Sequence, residues 1–150
     1  MTPELLFQIC STAVMPAWLL LAILPHHKLT QWIVHAIWIP CLLGPVYVWA
    51  LFFGPPAAEG AGFGSLEGVM LLFQSPVAVL AGWIHYLVFD LFIGAWIVRD
   101  AKVQGINHWL TLPCLFATLM AGPAGLLLYC LLRFALTRNP GLSTATQNMA

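Results

Sequence analysis

Four long apolar runs, at residues 5–24, 31–53, 67–98 and 109–132, alternate with short segments that hold nearly all of the charge of the chain. This spacing constrains the fold more than any single motif. About 20 residues of helix span the ~30 Å hydrocarbon core of a bilayer, and each run is at least that long. The alternation of a membrane β-barrel strand is absent, which leaves helices as the structure that satisfies the backbone within lipid. Only 7% of the residues are charged and 61% are hydrophobic, against about 25% charged in an average soluble domain. The sequence therefore predicts an all-α integral membrane protein. Its expected form is a bundle of four transmembrane helices within residues 1–136, followed by a disordered polar tail at 137–150.

The charge balance narrows the partners. Five Lys and Arg offset five Asp and Glu, so no basic face exists for nucleic acid. Membrane lipid is the expected partner, and a second copy of the chain is admissible for so small a bundle. Cys10, Cys41, Cys114 and Cys130 all lie in apolar runs, where they act as small buried side chains rather than a disulfide framework. Glu4 and the absence of Lys or Arg before the first run favour a retained helix over a signal peptide.

Alternating direction puts the first and third connections on one side of the membrane. That side collects His26, His27, Lys28, Arg99, Asp100, Lys102 and His108, with His35 one turn into the second helix. Glu59, Glu67 and both termini, including Arg133 and Arg138, are expected opposite. Three basic residues against two lean only weakly toward the first side being cytoplasmic. The third run is 32 residues long, about 48 Å as helix, and is too long for a straight crossing. Pro76 divides it, leaving a lead-in helix capped by Ser65 before a crossing from 77 to 98.

Within that crossing His85 and Asp90 each lie about 4 Å from its midpoint at 1.5 Å per residue. Ionisable side chains at that depth cost about 2.5–3.5 kcal/mol on insertion scales and mark functional sites by default. Five residues set them about 140° apart around the helix, so they do not pair with each other. Tyr86 and Asp90 share a face at i, i+4, and Asp90 is expected to face the bundle interior. The blander alternative is helix glue, with interhelical hydrogen bonds worth ~0.6–2 kcal/mol. Arg99 and Asp100 at the helix exit read equally as an interfacial anchor or as catalytic groups. His26, His35 and His108 with Asp100 form a minority metal set, since imidazole and carboxylate suit Zn, Fe or Mn.

The strings Phe63-Gly64-Ser65-Leu66-Glu67-Gly68-Val69, Leu80-Ala81-Gly82-Trp83-Ile84-His85-Tyr86-Leu87, Phe89-Asp90-Leu91-Phe92-Ile93-Gly94 and Arg99-Asp100-Ala101 carry a resemblance. Gly105-Ile106-Asn107-His108, Pro113-Cys114-Leu115 and the stretch from Leu119 to Tyr129 continue it. They resemble the abscisic-acid-deficient-four-like family, whose plant members are plastid membrane proteins needed for neoxanthin synthesis. The resemblance implies a four-helix membrane protein that acts on or beside a carotenoid or other isoprenoid. Without a transit peptide, the chain looks like a bacterial form with a plasma-membrane address.

Converting a 5,6-epoxycarotenoid to an allenic alcohol is an isomerisation: an acid protonates the epoxide oxygen and a base removes a proton from the polyene. Asp90 is the expected acid and His85 the expected base, with Tyr86, Arg99 and Asp100 as further catalytic candidates. Trp83, Phe89 and Trp96, with Glu67 and His108 at the two ends, are the substrate-binding candidates. The competing classes are a non-catalytic pigment- or lipid-binding subunit and a small proton-coupled transporter. An oxygenase would require iron held by the histidines; the sequence identifies no cofactor.

Overall fold

The computed structural model describes residues 2–55 and 58–142, so residues 143–150 of the expected tail lie outside the described residues. The described residues form six helices: α1 (Pro3–Ile23), α2 (Lys28–Ile33), α3 (Trp38–Phe52), α4 (Leu66–Leu72), α5 (Pro76–Val103) and α6 (His108–Thr137). Four stretches, namely α1, α2 with α3, α5 and α6, are long and apolar enough to cross a membrane. The all-helical membrane bundle expected from the apolar runs is the fold observed.

Local chemistry accounts for the helix ends. Thr2 caps α1 through its hydroxyl, and Asn107 caps α6 by accepting from the Trp109 amide at 3.0 Å. Both satisfy first-turn amides that have no intrahelical partner. Ser65 caps α4 by accepting from Gly68 N at 3.0 Å. Pro76 opens α5, so the long third run breaks between Phe73 and Ser75 as its proline demands. Gly105, at φ +68°, closes α5 while Ile106 N donates back to the Ala101 carbonyl at 2.8 Å. The second run also breaks, between Ile33 and Trp38, where Pro40 fits the first turn of a new helix. His35 lies in that break.

Helix α5 is the centre of the bundle. Its α1 side includes Gly94, where a Cβ would sit 2.8 Å from the Trp18 ring, so the missing side chain lets α1 approach. Trp83 Nε1 donates to Ser11 Oγ at 2.8 Å; the order Ser11–Trp83, Trp18–Gly94 makes α1 parallel to α5. Tyr47 facing His85 and Gly54 facing Val77 make α3 antiparallel to it. Leu21, Ile84 and Ile97 are fully buried where these helices meet.

Helix α6 is not a straight crossing. Ala121 has φ −158° and ψ 60°, outside helical values, and the two arms on either side run in opposite directions. His108 bonds the Ala22 carbonyl and Tyr86 reaches the Leu119 carbonyl, so residues 108–120 descend antiparallel to α5. Gly122 then meets Asp90, Tyr129 meets Trp96 and Arg133 meets Asp100, so residues 122–137 climb back parallel to α5. The C-terminal end of α6 was expected on the Glu67 side and lies instead on the His108 side. Pro123 starts the reversal, because it has no amide to offer the Leu119 carbonyl. Gly125 completes it, because a Cβ there would fall on the backbone of Thr118 in the other arm.

The hairpin regroups the charge. Lys28, Arg99, Lys102, Arg133 and Arg138, all the Lys and Arg of the chain, fall at one end of the bundle, and Glu4, Glu59 and Glu67 fall at the other.

Candidate functional site: a lipid-open groove and the tip of the hairpin

The lower halves of α3 and α5, the segment before α4 and α4 itself enclose a groove of about 670 Å³. Its walls are mainly apolar, with Phe52, Phe63 and Phe73 among them, and Tyr47 and His85 stand at its inner end. Gly82 keeps the floor open: a Cβ there would press on the Phe73 ring at 3.0 Å. The His85 ring stacks on Phe89, with centroids 4.4 Å apart and an interplanar angle of 24°, and its centroid lies 6.1 Å from that of Tyr47. One imidazole and one phenol thus face an apolar cleft beside the candidate spans α3 and α5.

Asp90 is elsewhere. As the 140° offset requires, it lies on the far side of α5, 8% exposed, with its carboxyl against the backbone of Gly122 and beside Tyr86. Tyr86 Oη donates at 2.8 Å to the Leu119 carbonyl, the group that Pro123 leaves without its helical partner. Tyr86 thus serves a backbone group exposed by the reversal, while the Asp90 carboxyl packs against Gly122 with one buried oxygen unpartnered. Irregular backbone at membrane depth is tolerated only when it is so covered. Two other hydroxyls of α6 are engaged elsewhere: Thr118 donates to Cys114 O at 2.8 Å and Tyr129 to Asp100. Tyr86→Phe should leave the Leu119 carbonyl unpaired and cost about 1–3 kcal/mol, read as a lower unfolding midpoint in detergent. An unchanged midpoint would show that water or another donor reaches that carbonyl.

A second polar cluster was not anticipated. Asp100 Oδ2 accepts from Tyr129 Oη at 2.6 Å and from Arg133 Nε at 2.8 Å, and Arg133 Nη1 donates to Asn139 O at 2.9 Å. Asp100 and Tyr129 are 0% exposed and Arg133 is 1% exposed. Asp100 is therefore buried and paired with Arg133 rather than exposed at the helix exit. The available signal was Arg133 close behind an uninterrupted apolar stretch, four residues after Tyr129 on one helix face.

The other candidates disperse. Trp83 is held by Ser11 and stacks on Tyr86, while Trp96 packs edge-on against Tyr129; neither lines the groove. Glu67 is exposed in the first turn of α4. His108 bonds Ala22 O at 2.9 Å and Thr111 Oγ1 at 3.1 Å, with the His26 ring centroid 6.4 Å away. His35 faces Arg99 across a separate cavity. The metal set does not converge, and among the described residues no three His, Cys, Asp or Glu side chains form a metal-holding group.

The chain was compared with known proteins. Residues 5–129 match the model of the ABA DEFICIENT 4-like family. The protein ABA DEFICIENT 4, chloroplastic, of Arabidopsis thaliana is 29% identical over 119 residues, covering 73% of this chain and 54% of the plant protein. The chain thus spans about half the length of that curated relative. No solved structure matches. The family match takes in α1 through the returning arm of α6 as far as Tyr129, and with it the groove, Asp90 and the hairpin tip: the chain is a member of the ABA DEFICIENT 4-like family.

Proposed function

We propose that the protein takes a carotenoid or related isoprenoid sideways from the bilayer into the groove between α3, α4 and α5 and isomerises it by acid–base chemistry. The observation that carries this reading is an apolar cleft of about 670 Å³ between candidate membrane spans that is lined by His85 and Tyr47. An end ring of such a molecule fits the cleft by size and polarity, and no oxidant is needed. For an epoxide, Tyr47 gives its proton to the oxygen as the C–O bond breaks. His85 removes a proton from the adjacent polyene carbon, and the electron pair released forms the new double bond. The proton on His85 then returns to Tyr47, leaving an alcohol of unchanged mass. Asp90 holds the hairpin that backs α5 and acts on this chemistry only by positioning.

The test is pigment analysis by chromatography and mass spectrometry in a carotenoid-producing host with and without the gene. A new pigment isomeric with a host carotenoid is expected. His85→Gln should lower it by about 10²-fold or more, the usual contribution of a general base. Wild-type product from His85→Gln would remove His85 from the chemistry. Pigment that copurifies without any new product would favour the non-catalytic pigment-binding reading, which the commitment of Asp90 to the hairpin also suits.

A further inference from the structure

The upper half of the same α3–α5 seam holds a second cavity, of about 400 Å³, lined by Pro40, Cys41, Val88, Phe92 and Ala95 and ending at His35 and Arg99. On α5 the groove residues Ala78, Ala81 and His85 and the cavity residues Val88, Phe92, Ala95 and Arg99 recur at steps of three and four. They form one stripe on one helix face. The same holds on α3, where Ile37, Pro40 and Cys41 above and Tyr47, Ala50 and Leu51 below share a flank. Between them Gly44 has nothing within 4 Å of where its Cβ would stand. One turn beyond His85 on α5, Phe89 stacks on its ring and is 55% exposed.

From Ala78 to Arg99 is 21 residues, about 31 Å along the helix, close to the thickness of the hydrocarbon core. Polar groups stand at the inner end of the lower groove and at the top of the upper cavity, with apolar walls between. Both ring nitrogens of His35 are buried without a partner, and beside them the exposed Arg99 guanidinium makes no ion pair among the described residues. Leaving the buried imidazole unpaired is costly, and a ligand hydroxyl or other oxygen would relieve it and could reach Arg99 as well.

We infer that the two cavities are the two ends of one groove that holds a single extended polyene, its reacting end ring in the lower groove between Ala78 and His85 and its far end hydrogen-bonded by His35 and Arg99. This assigns a distal subsite and rests on the isoprenoid reading given above. It explains why Arg99 and Asp100, adjacent in sequence, have separate tasks: one faces the seam and the other is buried against Arg133.

The test uses the purified full chain in mild detergent with three probes: zeaxanthin, a C40 polyene with a hydroxyl at each end; β-carotene, which lacks both; and retinol, which has half the length. Binding is followed by quenching of tryptophan fluorescence. Arg99→Gln and His35→Leu together should weaken zeaxanthin by about tenfold, the worth of a lost charge-assisted hydrogen bond, and leave β-carotene and retinol unchanged. Gly44→Leu fills open space and should fold normally, yet block both C40 probes while retinol still binds at His85. Equal binding of all three probes by Gly44→Leu and wild type would overturn the continuous groove. A double variant that binds zeaxanthin as wild type does would overturn the distal subsite. If wild type binds none of the three, the isoprenoid reading itself fails and this inference with it.

Discussion

Arg133→Met is expected to cost about 3–5 kcal/mol, the range for removing one partner of a buried ion pair. The loss should appear as a large fall in the folded fraction on denaturant titration in bicelles. The reason is what remains: Asp100 is fully buried, one of its oxygens already lacks a partner, and without Arg133 only Tyr129 faces the other. In surroundings of low dielectric an uncompensated carboxylate is far more costly than an absent pair. Adding Asp100→Asn to Arg133→Met should therefore recover more than half of the loss, because the amide carries no charge and still accepts from Tyr129. Asp100→Asn alone should be nearly as damaging as Arg133→Met, since it strands the guanidinium with the Asn139 carbonyl as its remaining acceptor. A loss below about 1 kcal/mol for Arg133→Met, the worth of an exposed pair, would mean that Arg133 reaches water and that the returning arm of α6 is not packed as described.

Gly125→Val should prevent the hairpin from closing. The added Cβ would fall on the Thr118 backbone, and helical backbone on both sides cannot move aside as a flexible side chain does. The cost should exceed the roughly 1–3 kcal/mol of ordinary overpacking, with little folded protein recovered after extraction. Gly122→Ala differs in a useful way: its Cβ would meet the Asp90 carboxyl, which is a side chain. Asp90→Ala should accordingly relieve Gly122→Ala in part and do nothing for Gly125→Val. The hairpin also makes a prediction about sidedness. Cysteines introduced singly by Lys28→Cys and Leu142→Cys should react with a membrane-impermeant thiol reagent from the same side. Reaction of Leu142→Cys from the opposite side would show α6 crossing straight through.

Much of the fold is written in local sequence. The lengths of the apolar runs require membrane helices because each satisfies its own backbone within lipid. The break at Pro76, the Ser65 cap of α4 and the shared side of the first and third connections follow from single residues and from alternation of direction. The angular separation of His85 and Asp90 was likewise fixed by helical periodicity alone, and it is why these two ionisable groups serve different surfaces of α5.

Other features depend on contacts between residues far apart in the chain, which no local pattern encodes. The run from 109 to 132 has the length and hydropathy of a crossing, and Pro123 alone is compatible with a modest kink. Reversal at Ala121 requires in addition that Gly125 accept the Thr118 backbone, that Tyr86 take the freed Leu119 carbonyl, and that Asp100 receive Arg133. Those partners lie about 30 residues away along the chain in the two bonded cases. The reversal moves Arg133 and Arg138 to the basic end and brings the Gly122 backbone against Asp90. Hydropathy reports only whether a segment prefers lipid to water, whereas the path it takes there is set by which buried polar groups find partners, and that is decided by the assembled bundle.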